Sequence, residues 1–296
     1  MANLKAVRDR IKSVQNTQQI TKAMKMVSAA KLRRAQQAIQ QMRPYANKLN
    51  EILRNILSNL GDNAGSDFGK MRPVNHACIV VVTSGRGLCG AFNTNIIKSA
   101  RTNIDDKFAG ARQAGNLNIL CIGKKGYDFF RKHYPDCHLI KDYVELFSDL
   151  SFENVARVSQ NLMDAFSEGK YDAVDVSYGQ FKNAATQLTE TEQWLPVPKT
   201  EAPKGNGTKA DYIFEPDLEE LLAILIPNIL QTTFQKYLLD TQASEHGARM
   251  TAMSKATENA EDLLKALKLS YNKARQESIT GEILEIVGGA AALESA

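Results

Sequence analysis

Residues 4–60 read LKAVRDRIKSVQNTQQITKAMKMVSAAKLRRAQQAIQQMRPYANKLNEILRNILSNL. One position in every three or four falls on a single line: Leu4, Val7, Ile11, Val14, Gln18, Thr21, Lys25, Ser28, Leu32, Ala35, Ile39, Met42, Ala46, Leu49, Leu53, Ile56 and Leu60. A 3-4 spacing kept over about eight repeats is the pattern of a coiled-coil helix, whose one stripe stays turned toward a partner. At 1.5 Å per residue such a helix is roughly 90 Å long, more than a globular domain needs. Pro44 has no N–H to give and predicts a local kink or a lost hydrogen bond.

The carboxyl end holds the match. Asp217–Ile226 predicts a short apolar helix that Pro227 breaks or bends. A second seam follows at Met250, Met253, Thr257, Ala260, Leu264, Leu267, Tyr271 and Ala274, slips, and resumes at Ile279, Ile283, Ile286, Ala290 and Leu293. Both helices are too polar elsewhere to be buried all round, so each needs the other as an antiparallel partner.

Between them the pattern changes. Apolar runs at Ala77–Val82 and Leu117–Ile122, with an alternating run at Tyr171–Tyr178, predict strands. Helical stretches near Asn95–Phe108 and Glu153–Phe166 separate them, which argues for an α/β domain with a mainly parallel sheet. Loop-like segments, Gly61–Asn75 and Pro196–Ala210, flank it. The expected organisation is a coiled-coil hairpin of helices 1–60 and 211–296, with a Rossmann-like α/β domain inserted over 76–195.

Composition narrows the functional classes. The chain of 296 residues is 43% hydrophobic and 24% charged, as a soluble globular protein is. No apolar run approaches the ~20 residues that span a bilayer, and the first residues carry no apolar signal core. Membrane association is therefore expected through partners alone. Cys78, Cys89, Cys121 and Cys137 show no metal-ligand spacing, and Cys78 and Cys121 lie in apolar runs where cysteine acts as a small buried hydrophobe. The net charge of +4 hides an asymmetry. Residues 1–60 carry twelve Lys/Arg against Asp9 and Glu51, a net of +10. Residues 211–296 carry seven against fourteen Asp/Glu, a net of −7, so the two ends attract each other or face different partners.

Gly85-Arg-Gly87-Leu-Cys-Gly90 matches GxGxxG after an apolar strand, as a dinucleotide-binding turn does. The second strand, however, ends at Gly123-Lys124-Lys125, without the acid that would hold a ribose hydroxyl. A tight strand-to-helix turn needing permissive glycines explains the motif more simply. There is no GxxxxGK[ST] phosphate loop, and His76, His133, His138 and His246 have no ligand spacing. No nucleophile and base assemble, so neither catalysis nor a cofactor is expected. A dehydrogenase-like enzyme with helical arms fails on the missing acid. A nucleic-acid binder remains a second reading of the basic helix, though only Tyr45 is aromatic there.

That basic helix has one odd segment. From Arg10 to Asn50 there are nine Lys/Arg and no acid. Over residues 16–31 the seam slots turn polar (Gln18, Thr21, Lys25, Ser28), while Ile20, Met24 and Val27 form an apolar stripe on another face. The helix is expected to change its adhesive side there, leaving one partner for another.

At these residues the chain resembles the gamma subunit of F-type ATP synthases. The matching stretches are IKSVQNTQQITKAMKMVSAAKLRRAQ (11–36), SGRGLCGAFN (84–93), ASEHGARMTAMSKATENA (243–260) and YNKARQESITGEILEIVGGAAAL (271–293). The resemblance implies a non-catalytic rotor shaft that couples proton flow to ATP turnover, peripheral on the cytoplasmic face of the membrane. Its implied partners are the ring of alpha and beta subunits, the epsilon subunit and the ring of c subunits, and ATP and magnesium belong to those neighbours. Nucleic acid is not among them. Positions matching the family's torque and catch contacts are Met24, Lys25, Arg249, Gln276, Thr280 and Glu285. The basic amino-terminal stretch would face acidic loops of the beta subunits. The paired-cysteine redox insertion of the plastid branch has no counterpart here.

The geometry carries one more expectation. If the α/β domain joins the helices at 60 and 212, paired positions sum to about 272. Gln18 then lies beside the Met253 turn, Met1 near Tyr271, and roughly 25 carboxyl-terminal residues have no partner from their own chain.

Overall fold

A computed structural model of the chain describes residues 4–60, 67–197 and 218–294. Residues 61–66 and 198–210 of the two expected loops lie outside these, as do Met1 and Asp217. The architecture is a long amino-terminal helix, a central mixed sheet with its own helices, and a longer carboxyl-terminal helix. Contacts divide it into two compact units: α1 up to Ser28 with α6 from Met250 on, and Ala29–Arg249.

Helix α1 runs Leu4–Leu60 and α6 runs Leu218–Glu294. Of the break or bend expected at Pro227, the break does not occur: α6 continues through it as α1 continues through Pro44. Each proline costs its helix the bond to a carbonyl four residues earlier. Gln40 and Ala223 are exposed there, so water can take the freed carbonyls. Beyond Pro227, burial of Leu230, Phe234 and Leu238 holds α6 to the sheet.

The sheet is built from β1 (Ala77–Val82), β2 (Leu117–Ile122), β3 (His138–Ile140), β4 (Ala173–Phe181) and β5 (Gln187–Leu195). Their order is β3-β2-β1-β4-β5, parallel except for the final β4–β5 pair. Between the strands run α2 (Phe92–Asp106), the short α3 (Ala109–Gln113), α4 (Lys124–His133) and α5 (Phe152–Ser167). β1 is buried along its whole length because alternate residues serve two cores. Ala77, Ile79 and Val81 pack with Phe92, Ile96, Ala100 and Ile104 of α2 and Phe130 of α4. Cys78, Val80 and Val82 pack with Val158, Leu162 and Phe166 of α5 and with Phe234 and Leu238 of α6. All four cysteines are free and buried, and burial pushes the thiols of Cys78 and Cys121 up to about 12. Among the described residues no helix is long and apolar enough to cross a membrane.

In the first unit the seam is visible in the burial. Leu4, Val7, Ile11, Val14 and Gln18 are half-buried, and Thr21 and Ser28 are buried. On α6 Met253, Ala260 and Leu264 are buried, with Met250, Thr257, Leu267, Tyr271 and Ala274 half-buried beside them. One layer departs from expectation: Met24 is half-buried and Lys25 exposed. A lysine would lose hydration inside the seam, so its ammonium leaves and the pliable methionine turns in.

Candidate functional site

Three side-chain contacts fix how the helices of the first unit meet. The Arg8 guanidinium donates to the Tyr271 hydroxyl at 2.8 Å and lies 5.7 Å from the centre of its ring. The Thr257 hydroxyl donates to Thr21 Oγ1 at 2.9 Å, and Lys25 Nζ donates to Ser254 Oγ at 3.0 Å. Rising numbers on α1 meet falling numbers on α6, so the segments are antiparallel. Each pair of numbers adds to 278 or 279, which corrects the expected 272 by about two turns. The polar layer and the interlocking seam choose the register, and the connection points from which 272 was counted do not.

The shifted register shortens the unpartnered end of α6 from the expected ~25 residues to about 18. Ser278 and Gly281 are half-buried, and every residue from Glu282 to Ala291 is exposed. Ile283, Leu284, Ile286 and Val287 are 55–72% exposed there, an apolar run left uncovered by the described residues. On α1 the stripe read from the sequence divides. Ile20 and Val27 are exposed, joined by Met26, while Met24 belongs to the seam.

The expected torque and catch positions therefore occupy separate places. Met24 and Lys25 lie at the Ser254 level of the first unit. Gln276, Thr280 and Glu285, all exposed, follow on α6 about 33 to 46 Å along the axis. Arg249 belongs to the second unit, where it is buried and forms an ion pair with Glu245 at 2.7 Å.

Arg249 also explains the glycine motif. The turn at 84–93 is held from within. Asn93 Oδ1 accepts from the Ser84 amide at 2.9 Å, and the Ser84 hydroxyl donates to the Arg86 carbonyl at 2.6 Å. Leu88 and Gly90 take left-handed backbone, φ 64° and 61°. Outward, the carbonyls of Arg86 and Gly87 accept from the Arg249 guanidinium at 3.0 and 3.3 Å. Thr241 Oγ1 receives the Gly179 amide at 3.2 Å, and the Ser244 hydroxyl donates to the Gly179 carbonyl at 3.1 Å. A Cβ on Gly179 would meet Phe92 of α2 at 2.7 Å and Ser244 of α6 at 3.4 Å, so both helices seat closely there. Open α/β sheets bind ligands at the carboxyl ends of their parallel strands. In this chain α6 borders that place, where a cavity of about 690 Å³ is lined by Gly85, Arg86 and Lys124 together with Gln242, Glu245 and His246 of α6.

Sequence reasoning did not anticipate that residues 84–87 and 241–249 share one site. The signal was the density of small and polar residues in ASEHGARM, unusual for a helix that packs on a sheet. His246, beside Arg249, is pushed down to about 4 by burial first and then by the charges of Arg249 and Lys31. It is neutral at physiological pH. Burial pushes the Glu245 carboxyl up, against the pull of Arg249. No group of three or more His, Cys, Asp or Glu that could hold a metal occurs among the described residues.

Comparison with known proteins matches this architecture from end to end. A family model described as ATP synthase covers residues 3–293. The chain is 54% identical over 297 residues to the ATP synthase gamma chain of Cytophaga hutchinsonii, covering all of both proteins. It is 53% identical to that of Flavobacterium psychrophilum, covering 99% of this chain and all of the relative. Among solved structures it resembles a chain of the Euglena gracilis mitochondrial ATP synthase in an assembly of OSCP, F1 and c-ring. The TM-score there is 0.69 at 21% identity, with 99% and 95% of the two chains covered. A chain of the Tetrahymena thermophila mitochondrial ATP synthase, in a central stalk and c-ring structure, gives 0.57 at 22%, covering 80% and 99%. With identity above half along its whole length, this chain belongs to the ATP synthase gamma-chain family.

Proposed function

We propose that the chain is the central rotor stalk of an F-type ATP synthase, transmitting rotation between a membrane ring of c subunits and a catalytic ring of alpha and beta subunits. The full-length match to gamma chains carries this reading. Two long antiparallel helices, one ending in an exposed apolar run, suit a shaft. Helices α1 and α6 form its coiled-coil hairpin, and the Rossmann-like domain at 76–195 binds the epsilon subunit and the c-ring. The subunit is not itself an enzyme: ATP and magnesium are held by its neighbours. It is a peripheral part of a membrane-bound complex, and we assign it to the cytoplasmic face.

Torque passes where side chains of the shaft stand free to meet the ring. Lys25, Gln276, Thr280 and Glu285 qualify by exposure, and Ile20 and Val27 add apolar contact beside Lys25. Met24 acts through the seam, setting the surface that the ring feels. Arg249 locks α6 to the turn at 86–87, so that rotation of one moves the other. The amino-terminal excess of positive charge meets acidic loops of the beta subunits.

The test is purification of the native complex followed by ATP-driven proton pumping in vesicles. The chain is expected with alpha and beta subunits, and loss of the chain is expected to leave ATP hydrolysis without pumping. A preparation in which pumping survives without it would overturn the reading.

A further inference from the structure

The cavity of about 690 Å³ at the carboxyl ends of the parallel strands is walled by five stretches of chain, all within the second unit. α1 supplies Lys31 and Arg34, the turn after β1 Arg86, the start of α4 Lys124, the loop after β3 Glu145, and α6 Glu245 and His246. Its size is that of a small-molecule pocket, which runs to ~300–1,000 Å³. Its place is the one where open α/β sheets take their ligands.

The charges around it do not cancel. Lys31, Arg34, Arg86 and Lys124 are exposed, and none has an ion-pair partner among the described residues. Lys125 adds a cation beside the turn, its Cε 3.7 Å from where a Cβ on Gly87 would sit. Two acids stand against them. Glu245 is balanced by Arg249 at 2.7 Å, which leaves the exposed Glu145 alone to offset the four lining cations. His246, 9% exposed, is neutral, and its Nδ1 lies 3.4 Å from the Arg249 guanidinium. Nδ1 therefore accepts, and the ring hydrogen sits on Nε2, a donor at the cavity wall with no partner among the described residues.

Side chains, and not a helix end, are what this cavity offers. The Lys125 amide donates to the Ser84 carbonyl at 3.2 Å and the Gly126 amide to Thr83 Oγ1 at 2.8 Å, so the first turn of α4 is satisfied from within. Guanidinium and ammonium groups match phosphate oxygens in charge and geometry. One phosphate brings about two negative charges at most and leaves part of this lining unbalanced, whereas linked phosphates concentrate more in one small group. The carboxylates of a protein loop diverge along its backbone and cannot be gathered so closely. Ala38, Val144 and Phe147 complete the wall with apolar surface.

We propose that this cavity binds the di- or triphosphate group of a small molecule, held by Lys31 and Arg34 of α1 together with Arg86 and Lys124 of the α/β domain. The bound group ties α1 to the sheet domain. Inorganic pyrophosphate and the phosphate chain of a nucleotide share this chemistry. The site stands on this chain's own residues and does not draw on the rotor-stalk reading.

The experiment is titration calorimetry of the full-length chain, free of other subunits and of magnesium, with pyrophosphate, ADP and orthophosphate in turn. Pyrophosphate is expected to bind at one site ~10-fold or more tightly than orthophosphate. Arg86→Ala and Lys124→Ala, both exposed, are each expected to weaken it ~10-fold. Lys98→Ala on α2, the same charge change away from the cavity, is expected to leave it unaltered. ADP binding ~10-fold tighter than pyrophosphate assigns the site to a nucleotide whose body lies on Phe147, and equal binding assigns it to the inorganic ion. No saturable binding of pyrophosphate overturns the proposal. Equal weakening by all three variants also overturns it, because diffuse attraction to a basic surface would then explain the binding. In the intact ATP synthase, pyrophosphate is expected to slow hydrogen exchange of residues 143–148. Exchange that is already slow there and that pyrophosphate leaves unmoved would mean that an acidic segment of a neighbouring subunit fills the cavity, and would overturn the proposal for the assembled enzyme.

Discussion

Arg249, in the middle of α6, donates to the carbonyl oxygen of Gly87, so the helix is fastened to the backbone of a turn 162 residues earlier. Backbone carbonyls are present whatever side chains the turn carries, and the contact therefore needs only the turn's shape. Glu245, one helical turn before Arg249, balances the buried cation at 2.7 Å.

Removing the guanidinium leaves Glu245 buried and unpaired. Arg249→Gln is expected to destabilise the second unit by about 3 kcal/mol, the usual cost of breaking a buried pair from one side. Glu245→Gln combined with Arg249→Gln is expected to cost less than the single change, since no lone charge remains. Chemical unfolding of the full chain measures both. Equal losses for single and double variants would show that the loop contact, and not the pair, carries the energy.

Two buried groups give stability opposite pH dependences. Asp240 is pushed up to about 6 by burial first, with Lys236 and Arg43 pulling it down and Glu192 and Glu190 pushing it up. Its folded value exceeds the unfolded one of about 3.9, so its bound proton adds stability that is full below about pH 4 and is lost as pH rises through 6. For His246 the folded value is the lower one. Its contribution is full above about pH 6.5 and is lost as pH falls toward 4. Asp240→Asn is therefore expected to gain on the natural chain between pH 5 and pH 8, on the order of 1 to 3 kcal/mol. Thermal unfolding at both values reads it, and a pH-independent difference would falsify the burial account.

Met24 lies in the seam, so its replacement acts on packing as well as on the ring. Met24→Leu keeps volume and apolar character and is expected to change stability by less than about 1 kcal/mol. Met24→Lys is expected to cost roughly 1–2 kcal/mol in the first unit and to lower the protons pumped per ATP hydrolysed. Full coupling in a chain whose helices are measurably loosened would remove Met24 from the transmission.

The end of α6 is the converse case. Residues 282–291 are exposed throughout, so a chain stopped after Gly281 is expected to unfold within about 0.5 kcal/mol of the full chain. Its torque against the ring is expected to fall, since the apolar run of Ile283, Leu284, Ile286 and Val287 is gone. A large fall in melting temperature would mean that these residues pack on their own chain.

Periodicity alone determined the elements whose burial is uniform. β1 and β2 occupy the residues their apolar runs marked, and the α6 seam from Met250 to Ala274 is half-buried or buried at each marked position. Burial along one face requires apolar residues at one spacing, and that requirement is written in the chain. β5 was not legible, because Glu190 and Glu192 sit on its inner face and look like solvent-facing residues until Tyr178 and Tyr237 are brought across to bond them. The continuation through Pro227 was decided by burial of Leu230, Phe234 and Leu238, which outweighs one lost hydrogen bond. Of the six expected contact positions, the sequence marked the residues and the tertiary structure separated them. Lys25 and Met24 exchanged places because a charge resists desolvation, and Arg249 acquired its role from a turn that no spacing within α6 could reveal. A repeat records which face is covered. What covers it, and in which register, depends on side chains meeting across distances along the chain that no local pattern spans.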